Sequence, residues 1–314
     1  MTQWNIHPVI QGLQQARHQW RQRQHRSIEI GGREFPSKQA LKLILEDLCG
    51  ILFPMRLGPS ELRQESEDDY IAYTLERVLN ELHSQVVLAL HQGVQDQGLD
   101  PQRLDPEAIC THRPSAEHVV QNFANQLPHI RRLIDLDVYA AYEGDPSAHS
   151  VDEILLCYPG VMAIMYHRLA HQLYQDVPFI ARMISESAHS STGIDIHPGA
   201  QIGAGFFIDH GTGVVIGETC IIGQHVRLYQ AVTLGAKRFE LTEEGALKKN
   251  YPRHPIVEDD VVIYAGATIL GRICIGKGSV IGGNVWLTHS VPAGSHILQS
   301  PSAAHVPPIQ APTV

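Results

Sequence analysis

Apolar residues recur at spacings of three and four between residues 36 and 187, which is the pattern of amphipathic helices. The clearest run begins after Asp68 and Asp69, ends near Gly93, and consists of Ile71, Leu75, Val78, Leu79, Leu82 and Val86. The same spacing predicts helices over residues 41–52, 119–134, 161–173 and 179–184. Ser37 and Ser115 stand where the first two would begin. This half therefore predicts an all-α region of about five to eight helices.

After residue 190 the hydrophobic period changes to six. Leaving aside one two-residue slip and one long break, apolar residues stand six apart at Ile196, Ile202, Ile208, Val214, Ile216, Ile222, Leu228, Leu234, Val257, Ile263, Ile269, Ile275, Ile281 and Leu287. A six-residue period predicts a solenoid in which three short strands make one triangular coil, with one apolar side chain pointing inward from each face. Strands of a β-sandwich would instead alternate with a period of two.

The two patterns together predict an α+β chain. We expect an amino-terminal all-α helical domain over residues 1–189, a left-handed parallel β-helix built from hexapeptide repeats over 190–298, and a proline-rich tail over 299–314 that is extended or disordered. The period fails over residues 237–255, so this charged insertion should leave the coil as a protruding loop. Glycine follows the inward residue in several repeats, and we expect a positive φ there, at Gly203, Gly217, Gly223, Gly235, Gly276 and Gly282.

Charge and composition exclude several classes of protein. The net charge is −9, with no basic run long enough to bind nucleic acid. The most apolar stretch, residues 154–165, is too short for a membrane span and is broken by Pro159 and Gly160. Five scattered cysteines, none in a C-x-x-C pair, suggest neither a disulfide framework nor a zinc knuckle, and fit reduced thiols in a cytoplasmic protein.

Charged and imidazole side chains interrupt the repeats where a purely structural coil would need neither. Asp195 and His210 are fifteen residues apart, slightly less than one coil, so they can lie close together on adjacent coils. An aspartate beside an imidazole fixes its tautomer and makes it a general base near neutral pH. We expect His197 to be a turn residue and His225 to point outward. A zinc site built from histidines such as His197, His210, His225 and His254 is the alternative, but no i, i+4 or i, i+5 spacing supports it.

Five segments over residues 145–287, IDIHP, DHGTG, IGET, AVTLGA and RHP, resemble the serine O-acetyltransferase family in sequence and in order. The resemblance implies transfer of acetyl from acetyl-CoA to the hydroxyl of L-serine, with His210 as the base and Asp195 as its orienting partner. It implies no metal and no permanently bound cofactor, with acetyl-CoA as co-substrate.

The resemblance also assigns binding roles. Asp145 and Asp209 would bind the serine ammonium, and Arg253 would bind the carboxylate with His254 beside it; Glu218, in the IGET segment, would belong to the same substrate site. The CoA arm would run along small residues, namely Gly235, Ala236, Ala265 and Gly283. The family often has Gly-Gly where this chain has Gly235-Ala236, so these CoA contacts rest on a looser match.

Family members assemble as trimers or as pairs of trimers, so the resemblance implies a homotrimer or a dimer of trimers. Members that bind cysteine synthase end in isoleucine, whereas this sequence ends in Val314, which leaves that partner open. Two other functions remain at this stage. One is acetyl transfer to a different hydroxyl, such as that of a sugar or homoserine, and the other is a non-catalytic scaffold that kept the coil.

Overall fold

The computed structural model describes residues 4–23, 35–95, 114–243, 245–249 and 251–299. By its contacts the chain divides into two compact units, Met1–Phe35 and Pro36–Val314. The first unit contains helix α1 (His7–Arg23), in which no residue is buried. Among the described residues, no helix combines the length and the apolar character that a membrane crossing requires.

The second unit begins with helices, and the apolar spacing located most of them. They are α2 (Lys38–Leu52), α3 (Pro54–Leu57), a 3-10 turn (Gln64–Ser66), α4 (Glu67–Gln95), α5 (Ala116–Gly144), α6 (Val151–Cys157), α7 (Pro159–Tyr174) and α8 (Pro178–Thr192). Ser37 and Ser115 cap α2 and α5 as predicted, since their hydroxyls accept hydrogen bonds from backbone N–H groups three residues on. Helix α5 runs through Pro128 to Gly144, well past the predicted end.

The helices share one apolar core. Its members come from α2, α4, α5, α6, α7 and α8, and the most completely buried include Leu45, Leu82, Ile130, Ile134, Leu169 and Ile180. Phe207, from the first coil of the strands, belongs to the same core. The helical region and the strands are therefore packed against each other through apolar contacts.

The strands follow the last helix, are two or three residues long, and pair in parallel within their sheets. They are β1 (Asp195–Ile196), β2 (Gln201–Ile202), β3 (Phe207–Ile208), β4 (Val215–Ile216), β5 (Ile221–Ile222), β6 (Arg227–Leu228), β7 (Thr233–Gly235), β8 (Ile256–Val257), β9 (Val262–Ile263), β10 (Thr268–Leu270), β11 (Cys274–Ile275), β12 (Val280–Ile281), β13 (Trp286–Leu287) and β14 (His296–Ile297). Sheet A has the order β1-β4-β7-β10-β13, sheet B β11-β8-β5-β2, and sheet C β14-β12-β9-β6-β3. Strands β1 to β13 visit A, B and C in turn, as expected for a left-handed parallel β-helix. Between β13 and β14, which lies in sheet C, a single parallel bridge joins Val291 to Ile275 of sheet B.

The residue pairing between neighbouring strands confirms the six-residue hydrophobic period. Ile196 pairs with Ile216, which pairs with Leu234, and Ile269 and Leu287 continue the same ladder. Equivalent ladders run along sheets B and C, and the predicted inward residues are buried, apart from the half-buried Ile202. Each coil buries its apolar residues against the next, so the solenoid has one continuous core.

The candidate site residues lie on two corners of the triangular coil. The A–B corner holds residues 197–200 and 217–220 and, one coil on, the insertion, which ends at residue 255. The C–A corner holds residues 209–214, 229–232, 264–267 and 282–285. In the insertion, Leu241 and Leu247 form an antiparallel bridge, and both side chains are exposed. The predicted insertion therefore leaves the coil as a short hairpin.

The reason predicted for the repeat glycines is wrong. Positive φ occurs at other glycines, among them Gly205, Gly211 and Gly266, and at none of the six named from the pattern. Gly203 and Gly223 are instead required by close packing between coils. A Cβ on Gly203 would lie 2.5 Å from the carbonyl oxygen of Gly223, and one on Gly223 would lie 2.5 Å from a carboxylate oxygen of Asp259.

Candidate active site

The two-residue slip in the repeat places His210 on the C–A corner of the first coil. His210 has a φ of 58° and is followed by Gly211 and Gly213, whose φ values of 90° and 81° let the loop bulge outward. The His210 side chain is 70% exposed, whereas that of the neighbouring Asp209 is only 14% exposed. The slip therefore presents an imidazole to solvent beside a largely buried carboxylate.

Asp209 and Asp145 supply negative charge around this imidazole. An Asp209 carboxylate oxygen lies 3.7 Å from Nδ1 of His210. Asp145 lies just beyond the end of α5, close enough for His210 to contribute to lowering its pKa. We call Asp145, Tyr158, Asp209 and His210 the base cluster.

Asp145 is held as an anion by hydrogen bonds. The Ser147 backbone N–H and hydroxyl donate to its Oδ1 at 2.8 and 2.7 Å, and the Tyr158 hydroxyl donates to its Oδ2 at 2.5 Å. These bonds, those from Ser147 first, lower the pKa of Asp145 to about 2. The carboxylate is therefore ionised throughout the neutral range.

Asp195 reaches a different set of neighbours from the one predicted. Its carboxylate lies with Glu186 and His189, near the end of α8, with ligand atoms within 4.8 Å of one another. Among the described residues no hydrogen bond joins Asp195 to His210. The loop that carries His210 reaches Asp195 only at its end, where the Asp195 N–H donates to the carbonyl of Val214 at 2.9 Å. The pairing of Asp195 with His210 therefore stays a prediction.

A second cluster occupies the A–B corner, where the insertion returns to the coil. Arg253 Nη2 donates to Glu218 Oε2 at 2.6 Å, and the Tyr174 hydroxyl donates to the other Glu218 oxygen at 2.9 Å. Thr219 Oγ1 accepts the backbone N–H groups of Arg253 and His254, at 2.9 and 3.1 Å. Tyr174, Glu218, Thr219, Arg253 and His254 form what we call the arginine cluster.

His254 is kept neutral within this cluster. It is 7% exposed, and its Nδ1 accepts a hydrogen bond from the backbone N–H of Thr219 at 3.1 Å. Its ring packs over Gly217, where a Cβ would overlap the imidazole. Burial first, and then the adjacent Arg253 charge, lower the pKa of His254 to about 4.

Two other histidines lie as expected. His197 is a turn residue whose Nδ1 accepts from the backbone N–H of Gly199 at 3.1 Å, and its ring meets Tyr174 edge-on. His225 is exposed on the coil surface. Neither contributes a side chain to the base cluster.

The residues predicted for the CoA arm divide between the two corners. Ala265 and Gly283 lie on the C–A corner, where the N–H of Asn284, which follows Gly283, donates to the Ala265 carbonyl at 2.9 Å. Gly235 and Ala236 lie on the A–B corner, where β7 leads into the insertion. A Cβ on Gly283 would stand 3.2 Å from the Ala265 carbonyl oxygen, which is a tight contact.

The two clusters do not meet within one chain. Among the described residues no hydrogen bond or ion pair joins the base cluster to the arginine cluster. They lie on different corners, separated by a side of sheet A, which at six residues a side is roughly 15–20 Å. A single small substrate cannot span that distance.

Sequence reasoning named every charged or imidazole member of both clusters and missed the residues that hold them. Tyr158, Tyr174 and Thr219 were not singled out. Thr219 could have been, because it belongs to the IGET segment. The two tyrosines stand just before α7 and at its end, and helical periodicity carries no information about a contact with a distant coil.

The comparisons with known proteins agree with one another. The plasmid serine acetyltransferase of Synechococcus elongatus is 52% identical over 298 residues, covering 95% of this chain and 91% of that protein. Isoform 3 from Entamoeba histolytica, solved with cysteine, has a TM-score of 0.67 at 34% identity, covering 92% of this chain and 88% of that one. The soybean enzyme, solved with serine, has a TM-score of 0.51 at 30% identity, covering 85% and 98%. No protein-family model matches the chain.

Proposed function

Because the chain belongs to the serine acetyltransferase family and is an acyltransferase, we propose that it transfers acetyl from acetyl-CoA to the hydroxyl of L-serine, giving O-acetyl-L-serine and CoA in the cytoplasm. The observation that carries this proposal is the exposed imidazole of His210 beside the carboxylates of Asp209 and Asp145. A hydroxyl needs such a base, while the thioester is already activated.

In the proposed reaction His210 removes the proton from the serine hydroxyl as that oxygen attacks the thioester carbonyl carbon. The tetrahedral intermediate then expels the CoA sulfur, which takes the proton back from His210. We propose Asp195 as the partner that orients the imidazole. His210 is 70% exposed, and its loop is hydrogen-bonded to β1 where the Val214 carbonyl accepts the Asp195 N–H, so this pairing requires both side chains to turn toward each other.

We propose that the serine ammonium binds to Asp209 and Asp145, and that its carboxylate binds to Arg253. Two of the five guanidinium N–H groups of Arg253 donate to Glu218 and to the Tyr251 carbonyl, which leaves others for a carboxylate. Glu218 acts here by orienting Arg253. His254, fixed by Thr219, is the neutral neighbour of the bound carboxylate. The CoA arm follows Ala265 and Gly283 on one corner and Gly235 and Ala236 on the other.

We propose that the complete site forms between two copies of the chain. The base cluster is on the C–A corner and the arginine cluster is on the A–B corner, on either side of sheet A. In a ring of three copies, the C–A corner of one copy can face the A–B corner of the next, since head-to-tail contacts close into a ring. This arrangement brings both clusters to one serine, and it supports a homotrimer or a pair of trimers.

The test is release of the CoA thiol from acetyl-CoA with L-serine, L-homoserine or a sugar as acceptor, using the wild-type chain and Arg253→Ala. We expect thiol release with serine, lost in Arg253→Ala. Preferential acetylation of a sugar, retained in Arg253→Ala, would identify a different acceptor, because a sugar has no carboxylate. Absence of thiol release with every acceptor would support a scaffold instead.

A further inference from the structure

Two tyrosine rings stack on the C–A corner next to the base cluster. The ring centroids of Tyr229 and Tyr264 are 5.0 Å apart, and their planes differ by 7°. Tyr264 is 43% exposed, so this stack is part of the surface.

The stack continues the coil position of Asp209. Asp209, Tyr229 and Tyr264 each directly follow an inward residue of sheet C, namely Ile208, Leu228 and Ile263, which pair with one another. Their backbone N–H groups donate along this ladder to the carbonyls of Leu228, Ile263 and Ile281. The three side chains therefore leave the solenoid at the same point of three successive coils.

This ladder gives the two faces of the Tyr229 ring different neighbours. Neighbouring strands are about 4.8 Å apart, close to the spacing of the two rings, so the rings stack along the solenoid axis. Tyr264 covers one face of Tyr229. The other face is directed toward the coil that carries Asp209.

We propose that the face of Tyr229 opposite Tyr264 is a second contact for the ammonium group of the acceptor, beside the Asp209 carboxylate. The inference rests on the proposed function, in which Asp209 binds this ammonium. A cation against the face of an aromatic ring is attracted by the ring quadrupole, and the attraction adds to that of a carboxylate. Tyr264 is a positioning residue, which keeps the Tyr229 ring parallel to the coil.

The placement of the pair argues against a role confined to packing of the coil. The equivalent positions on the B–C corner are Gly203, Gly223, Glu258 and Gly276. On the A–B corner the residues there are His197, Gly217, Gly235, Leu270 and Thr288. Among the equivalent positions of all three corners, tyrosine occurs only on the corner that carries Asp209 and His210. Packing at a corner therefore does not by itself require a tyrosine.

The experiment compares Tyr229→Leu with Tyr229→Phe, which keeps the ring and serves as the matched control. Steady-state kinetics give the KM for L-serine and the KM for acetyl-CoA. We expect Tyr229→Leu to raise the serine KM about 3- to 10-fold and to leave the acetyl-CoA KM unchanged, with Tyr229→Phe close to wild type. Preference for L-serine over 3-hydroxypropionate, which lacks the ammonium, should fall by the same factor in Tyr229→Leu alone.

Tyr264→Leu provides a second variant that leaves the Tyr229 ring in place, and thermal unfolding of each variant reports folding. We expect a smaller rise in the serine KM, in the same direction. Equal kinetics for Tyr229→Leu and Tyr229→Phe in an active enzyme, or a parallel rise in both KM values, would overturn the inference alone. A wild-type enzyme that does not acetylate serine would overturn the proposed function, and this inference with it.

Discussion

Arg168 on α7 closes a bidentate ion pair with Asp137 on α5, with Nε and Nη2 donating at 2.6 and 2.8 Å. Both side chains are almost fully buried. Arg168 also donates to the carbonyls of Ile202 and Gly203, and Asp137 accepts the backbone N–H of Phe206. The pair therefore joins the helices to the first coil. Because α5 ends beside Asp145 and α7 begins beside Tyr158, it also fixes that part of the base cluster.

Arg168→Leu should destabilise the chain strongly, because it leaves Asp137 as a buried charge without its partner. We expect a loss of about 3–5 kcal/mol in the free energy of unfolding, measured by urea denaturation. Lys42→Ala is the control, since Lys42 forms an exposed pair with Glu46 at 3.8 Å and its loss should change little. Equal stability of Arg168→Leu and wild type would contradict the role given to this pair.

His254 makes stability depend on pH in a defined window. The unfolded chain takes up a proton on this imidazole near pH 6.5, whereas in the folded chain its pKa is about 4. The unfolded state therefore binds more protons between these values, and stability falls as the pH drops from about 6.5 to 4. His254→Asn should flatten that part of the curve, because the amide oxygen can accept from Thr219 but does not titrate. An unchanged pH dependence in this variant would show that His254 is not the group concerned.

Tyr158→Phe should weaken serine binding more than it affects acetyl-CoA binding. It removes one of the hydrogen bonds that hold the Asp145 carboxylate, so the Asp145 pKa should rise and its orientation should loosen. We expect the KM for L-serine to increase about 3- to 10-fold, with the folded state intact. Tyr73→Phe is the control, because Tyr73 is 72% exposed on α4. If both variants behave alike, Tyr158 has no role at the serine site.

A site shared between copies predicts complementation. His210→Ala and Arg253→Ala should each be inactive, but unfolding and refolding them together in equal amounts should restore activity. In a randomly mixed trimer, about a quarter of the sites would combine an intact His210 with an intact Arg253 from the next copy. Thiol release measured before and after mixing tests this. No recovery, with mixed trimers demonstrated by a tag on one variant, would contradict the shared site.

The solenoid could be predicted from sequence because each inward position is reported directly by one apolar residue in every six. The slip at 209–214 and the insertion appeared as breaks in that period, and both lie at the candidate site. The apolar spacing underestimates the length of α5. It predicts a helix over residues 119–134, which already contains Pro128, whereas in the structure the helix continues to Gly144.

Contacts between side chains that are far apart in the sequence could not be predicted from the hydrophobic period. Nothing in the pattern pairs Asp137 with Arg168 or Tyr174 with Glu218, because these contacts depend on how the helices dock on the coil. The predicted pairing of Asp195 with His210 depends on the same kind of contact, because spacing does not set a rotamer, and the Asp195 carboxylate lies with Glu186 and His189. The repeat glycines were located correctly and explained wrongly, since the distance between coils cannot be read from one repeat.

The central claim is that His210 is the base that activates the serine hydroxyl. The most direct measurement is the kcat for CoA thiol release with saturating L-serine and acetyl-CoA in His210→Asn, compared with wild type and with His225→Asn as an exposed histidine control. We predict that kcat falls about 10²- to 10⁴-fold in His210→Asn and is unchanged in His225→Asn. A His210→Asn enzyme that keeps wild-type kcat would contradict the account.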